Sequence, residues 1–154
     1  MATVEKFEDL VCWQKARGLM KEVYKAFKDC RDFGFKDQIQ RAAVSVMSNI
    51  AEGFESGSKN GFVNYLYIAK GSAGEVRAQL YAALDIGYLN TEIFKRLSNL
   101  AVECSKLTSS FADKVKGGAQ RGLQFKHIKP KDPMEDIIKE HVPEMHEKFY
   151  GGTK

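Results

Sequence analysis

Three groups of side chains have the types and spacing that chemistry would need. His141 and His146 share a short segment with Glu140 and Glu144, a set of potential metal ligands. On a helix, a spacing of five turns two imidazoles about 140° apart, so they do not converge on one ion. No metal and no cofactor is expected. Asn49, Glu52, Ser72 and Glu75 form a second group, with Arg41 or Arg77 as a basic partner. On facing helices they would make a hydrogen-bonded network that fixes helix register or a subunit contact, because buried polar groups are paired. Acid-base work by the two carboxylates would also require a pocket and a nucleophile or metal, and no such pattern is present.

The third group is cationic. Lys114, Lys116, Arg121, Lys126, Lys129 and Lys131 fall in one acid-free stretch, interleaved with Leu123, Phe125 and His127. Such lysines and arginines neutralise phosphates with release of counterions, and Phe125 can stack on an unpaired base. The other reading is a solvated basic linker that docks on the acidic stretch 132–147 of its own chain or of a neighbour. Gly57, Gly61, Gly71 and Gly74 do not form a phosphate-cradling loop, because the GxxxxGK[ST] pattern and its strand-turn-helix setting are missing.

Helices must position these groups. Leu10, Trp13, Ala16, Met20, Tyr24 and Phe27 recur at spacings of three and four, which predicts an amphipathic helix over about residues 9–28. Lys15, Lys21, Lys25 and Lys28 fall largely on its other face. Residues 30–36 break the period, and Phe33 and Phe35 are expected to plug the bundle's end. A second helix is predicted over about 37–52 from Ile39, Ala42, Ala43, Val46, Met47 and Ile50. The glycine-rich run 53–61 reads as a loop. A third helix over about 62–86 follows Phe62, Leu66, Ala69, Ala73, Val76, Leu80 and Ala83. Gly71 and Gly74 lie inside it; each costs about 1 kcal/mol relative to alanine, which points to close packing against another helix or backbone. Asn90 or Thr91 can cap a fourth helix carrying Ile93, Leu97, Leu100, Cys104, Leu107, Phe111 and Val115.

Four such helices joined by short connections predict an all-α, antiparallel up-down four-helix bundle over residues 1–116. A basic linker follows over 117–131. A short helical tail over 132–154 is introduced by Asp132-Pro133-Met134-Glu135, with an N-cap aspartate, proline at N1 and glutamate at N3.

With 44% hydrophobic and 29% charged residues, the chain is composed to fold and not to stay disordered. Its 154 residues are enough to bury about two-thirds of the surface of the unfolded form. The acidic N-terminus lacks the features of a signal peptide, and Cys12, Cys30 and Cys104 are isolated, so a cytoplasmic protein with reduced thiols and no membrane span is expected. Net charge is +4 and unevenly spread: 15 cations and 14 acids over 1–113, 6 and 0 over 114–131, 3 and 6 over 132–154. The excess positive charge sits in residues 114–131.

Several runs carry a resemblance. Phe7-Glu8-Asp9-Leu10 with Trp13-Gln14, Gln40-Arg41-Ala42-Ala43-Val44-Ser45-Val46-Met47-Ser48-Asn49-Ile50-Ala51-Glu52-Gly53, Ala69-Lys70-Gly71-Ser72-Ala73-Gly74-Glu75 and Gly87-Tyr88-Leu89 follow in order. Over about residues 7–113 the chain resembles the bacterial four-helix bundle family, also called the 23S rRNA intervening-sequence protein family. The resemblance implies a homopentameric ring of up-down bundles with no enzymatic activity and a role in binding nucleic acid, RNA before DNA, or ribonucleoprotein. Similar bundles that accompany diversity-generating retroelements bind a reverse transcriptase and its RNA. They supply the alternative of a scaffold that recruits a protein partner.

Overall fold

In the computed structural model, which describes residues 4–118, a short 3-10 turn at Phe7–Asp9 leads into four helices: α1 (Val11–Ala26), α2 (Phe33–Glu55), α3 (Lys59–Ile86) and α4 (Thr91–Lys116). The described residues contain no strand. Each connection is short, so successive helices run antiparallel. Helix α1 packs on α2 and α4, and α3 packs on α2 and α4, which places α1 and α3 on opposite corners of the bundle.

The apolar stripes meet in one core. Ala16, Leu19, Val23, Ile39, Val46, Ile50, Leu66, Val76, Leu80 and Leu97 are fully buried. The stripe of α1 is turned slightly from the sequence expectation: Leu19 and Val23 enter the core, while Tyr24 is 43% exposed. Aromatic rings close both ends. Phe35 lies 5.7 Å from Phe27 and 5.5 Å from Tyr88 at one end, and Phe62 lies 5.8 Å from Phe54 and 5.5 Å from Phe111 at the other. Phe33 does not join the plug; it is 72% exposed at the start of α2.

Two boundaries differ from the sequence expectation for local reasons. Helix α2 begins at Phe33 because the Asp32 carboxylate accepts a hydrogen bond from Phe35 N–H at 3.1 Å, an N-cap contact. The same carboxylate accepts from the Tyr88 hydroxyl at 2.7 Å. That hydroxyl, and then the Phe35 amide, hold the Asp32 carboxyl below its ordinary value. At its other end α2 runs through Gly53 to Glu55, and Ser58 caps α3 by accepting from Gly61 N–H at 3.0 Å. Gly53 is therefore helical. A Cβ there would sit 2.6 Å from Tyr65 Cβ and 3.0 Å from Phe62 Cδ2, so the glycine lets α2 and α3 approach.

The close packing expected at Gly71 and Gly74 is not made within the bundle. Both lie on the outward face of α3, where an added Cβ would meet nothing within 4 Å. They pack against no element of their own bundle. Helix α3 ends at Gly87 in the left-handed conformation, φ 91°, whose N–H reaches the Ala83 and Leu84 carbonyls. Asn90 then caps α4 by accepting from Ile93 N–H at 2.8 Å.

Candidate nucleic-acid interface

Because α3 and α4 are antiparallel, the first turns of α3 lie beside the last turns of α4, where the basic stretch begins. Lys114 and Lys116 occupy the final turn of α4 and are exposed. Lys116 Nζ donates to the Tyr67 hydroxyl and lies 4.6 Å from the centroid of that ring. The hydrogen bond to Tyr67 is the main reason its ammonium group is held above the ordinary lysine value, so Lys116 is a full cation at neutral pH. Lys59, Asn60, Val63, Asn64 and Lys116 surround a shallow depression, and a Cβ at Gly118 would lie 3.9 Å from Lys59 Nζ. Further along the same seam Lys70 Nζ donates to Ser109 Oγ at 3.3 Å.

This end of the bundle thus presents cations, amides and one aromatic ring where the chain leaves α4. Such groups can hold phosphates and stack on a base. The sequence pattern missed Tyr67, Lys59 and Lys70 because they lie about 45 to 60 residues from the cationic stretch, and only the pairing of α3 with α4 brings them to Lys116. Arg121, Phe125, Lys126, Lys129 and Lys131 lie outside the described residues, as do residues 132–154, where a short helix was expected, and all three histidines.

The second polar group is dispersed. Asn49 Nδ2 donates to Ser45 O at 2.8 Å and Ser45 Oγ at 2.9 Å, and Ser45 Oγ meets Ser72 Oγ at 2.8 Å, so a three-residue chain ties α2 to α3. Ser45 was not among the residues expected in this network. Glu52 accepts instead from the Tyr65 hydroxyl at 3.2 Å, Glu75 accepts from Gln79 in its own helix at 3.3 Å, and Arg41 pairs with Asp37 in its own helix at 2.9 Å. The Glu52 and Glu75 carboxylates are exposed and engaged with different partners. Burial pushes the Cys12 and Cys104 thiols up to about 12, which leaves them protonated and unreactive at neutral pH. No group of three or more metal-ligating residues occurs among the described residues. None of their helices is long and apolar enough to cross a membrane.

A model of the 23S rRNA-intervening sequence protein family matches residues 8–110. The chain belongs to that family. No curated protein matches it. Among solved structures, the chain is similar to a protein of unknown function from the S23 ribosomal protein family of Bacteroides thetaiotaomicron VPI-5482, with 26% identity and a TM-score of 0.63. That likeness covers 66% of this chain and 98% of the other. The intervening-sequence family match contains the Asn49-Ser45-Ser72 tie and most of the α3–α4 seam, and it ends before Lys114. The cationic stretch lies outside the matched residues.

Proposed function

We propose that the chain is a non-enzymatic, homo-oligomeric RNA-associated protein of the cytoplasm, in which residues 114–131 hold the phosphate backbone and the α3–α4 seam supports them. The observation that carries this reading is the meeting of Lys116 with Tyr67 and Lys59 at the point where the acid-free stretch begins. Membership in a family named for an rRNA intervening sequence, and likeness to a protein from a ribosomal protein family, favour RNA over DNA.

Self-association is supported by the outward face of α3. Ile68 is 52% exposed and Tyr81 55% exposed, with Gly71, Gly74 and Ala78 between them and one exposed acid, Glu75, in their midst. Small residues among apolar ones allow another helix to approach closely. The ring of five implied by the resemblance would repeat the cationic stretch around its rim, so that weak contacts add by avidity. The same face also suits a foreign protein surface, the scaffold alternative, and a chain that remains a monomer when pure would favour it.

Filter binding of single-stranded RNA at two salt concentrations tests the reading. Changing Arg121, Lys126, Lys129 and Lys131 to Ala should weaken binding and flatten the salt dependence by about 0.7 in log-log slope for each lost contact. Equal affinity and an unchanged slope would reject the stretch as the phosphate-binding element.

A further inference from the structure

Charge on the bundle itself is segregated by helix, which the near balance of cations and acids over residues 1–113 conceals. Between Val11 and Lys28 the chain has Lys15, Arg17, Lys21, Lys25 and Lys28 against one acid, Glu22. Two of these residues are used in packing: Lys15 pairs with Glu103 at 3.1 Å and Glu22 with Arg96 at 2.7 Å, and both pairs fasten α1 to α4. The rest point elsewhere. At 100° per residue, Gln14, Arg17, Lys21 and Lys25 share the side of the helix away from the buried Cys12, Ala16, Leu19 and Val23, and Lys28 follows in the turn beyond the helix end. All five are exposed.

None of Arg17, Lys21, Lys25 and Lys28 makes an ion pair with a described carboxylate. Arg17 is instead held 5.7 Å over the Trp13 ring, a placement that orients the guanidinium and leaves its charge unneutralised. The carboxylates around this face lie at its margins: Glu8 at the N-terminal end, Glu22 already engaged by Arg96, and Asp29 after Lys28. Gly18 adds relief. It carries no side chain, has open space above it, and forms part of a shallow depression with Trp13, Gln14, Arg17 and Lys21.

From these observations we infer that the outward face of α1 is a second phosphate-binding track, on which Arg17, Lys21, Lys25 and Lys28 engage the backbone of RNA independently of the cationic stretch. This rests on the RNA-associated reading above and extends it to the folded bundle. Arg17, Lys21 and Lys25 follow one another at intervals of about 6 Å along the axis, a span of about 12 Å, and Lys28 lies just beyond the helix end. The track carries no base-reading geometry, so it would position RNA without choosing its sequence. It is also a poor contact for an apolar protein surface, which would bury cations that have no counter-charge. Since α1 and α3 occupy opposite corners, assembly through α3 would leave α1 facing outward.

The test uses the full chain and a labelled single-stranded RNA in filter binding at two salt concentrations. Lys21→Gln with Lys25→Gln removes two cations from the track at little change in helix propensity. Lys95→Gln with Lys106→Gln removes two exposed cations from α4, a helix of mixed charge, and serves as the control. The α1 pair should weaken binding about tenfold at the lower salt and reduce the log-log slope by one to two, about 0.7 per contact, while the control changes little. Far-UV circular dichroism confirms that both variants remain helical. Wild-type affinity and slope in the α1 pair, beside a loss in the fourfold variant of residues 121–131, would overturn the track alone. An equal loss in both lysine pairs would also overturn it, since net charge and not position would then govern binding. Poly-glutamate competing as well as unlabelled RNA, charge for charge, would reassign the face to an acidic peptide. Absence of RNA binding by the wild type would instead reject the RNA-associated reading itself.

Discussion

Helices α1 and α3 stand at opposite corners of the same bundle and bury similar apolar stripes, yet their outward faces differ in kind. That of α1 is cationic and nearly free of acids; that of α3 is slim, with Gly71, Gly74 and Ala78 around the exposed Glu75, Ile68 exposed at one flank and Tyr81, packed on Phe94, at the other. The inward stripes were constrained by packing alone. What separates the helices is the side that the core does not need, and there one chemistry suits phosphate and the other suits a second protein surface.

A charge placed on α3 should break this contrast most severely. Ala78→Glu would put an unpaired carboxylate into any contact made by that face, and the loss of association should be about 3 kcal/mol or more. Light scattering should show a mass falling to that of one chain, 17.3 kDa, with helicity retained. An unchanged oligomer would remove α3 from the interface, and a wild type already at the single-chain mass would remove self-association altogether.

Glycine substitutions sharpen the same comparison on a smaller scale. Gly53→Ala should lower stability by about 1–2 kcal/mol, because the new methyl group meets Tyr65 Cβ at 2.6 Å and this outweighs the gain in helix propensity. Gly71→Ala should raise the stability of the isolated protomer by up to about 1 kcal/mol, since nothing crowds it there. Thermal melts of both variants distinguish an inward glycine from an outward one. Two melts that shift the same way would contradict that distinction. Ser72→Ala should cost about 1 kcal/mol by leaving Ser45 Oγ without its partner across the α2–α3 contact, and chemical denaturation can measure it.

The smallest effect concerns pH. The Asp32 carboxyl is held below the ordinary value of 3.8 by the Tyr88 hydroxyl and the Phe35 amide, so its charged form stabilises the fold above that value. That contribution declines as pH falls through the lowered folded-state value. Asn also caps helices well, so Asp32→Asn isolates the charge. Its melting temperature should lie below that of the wild type at pH 6, and the gap should narrow towards pH 3. A gap that widens on acidification would contradict the assignment.

The stripes of α1 to α4 were legible because burial imposes a period of about 3.6 residues, and the Asn90 cap was legible because its position admits few residue types. Gly53 was misread as part of a loop, and Gly71 could not be assigned to a partner inside or outside the bundle, for one reason. A glycine in a sequence declares only that a side chain is absent, and whether that absence serves a turn, a helix crossing or an open face depends on what lies opposite. Asp32 was overlooked as a cap because Phe33-Gly34-Phe35 looks like a connection until Tyr88 and Phe27 are seen to pack around Phe35. The seam partners of Lys116 and the segregation of charge on α1 are matters of three-dimensional adjacency, and a net charge summed along the chain averages both away.

Association with RNA is most directly tested by what the full chain carries when it is purified from cells at low salt. The account predicts a nucleic-acid fraction that is RNase-sensitive, DNase-resistant and released as salt is raised. Protein that emerges free of nucleic acid, and stays free when single-stranded RNA is added back at low salt, would contradict it.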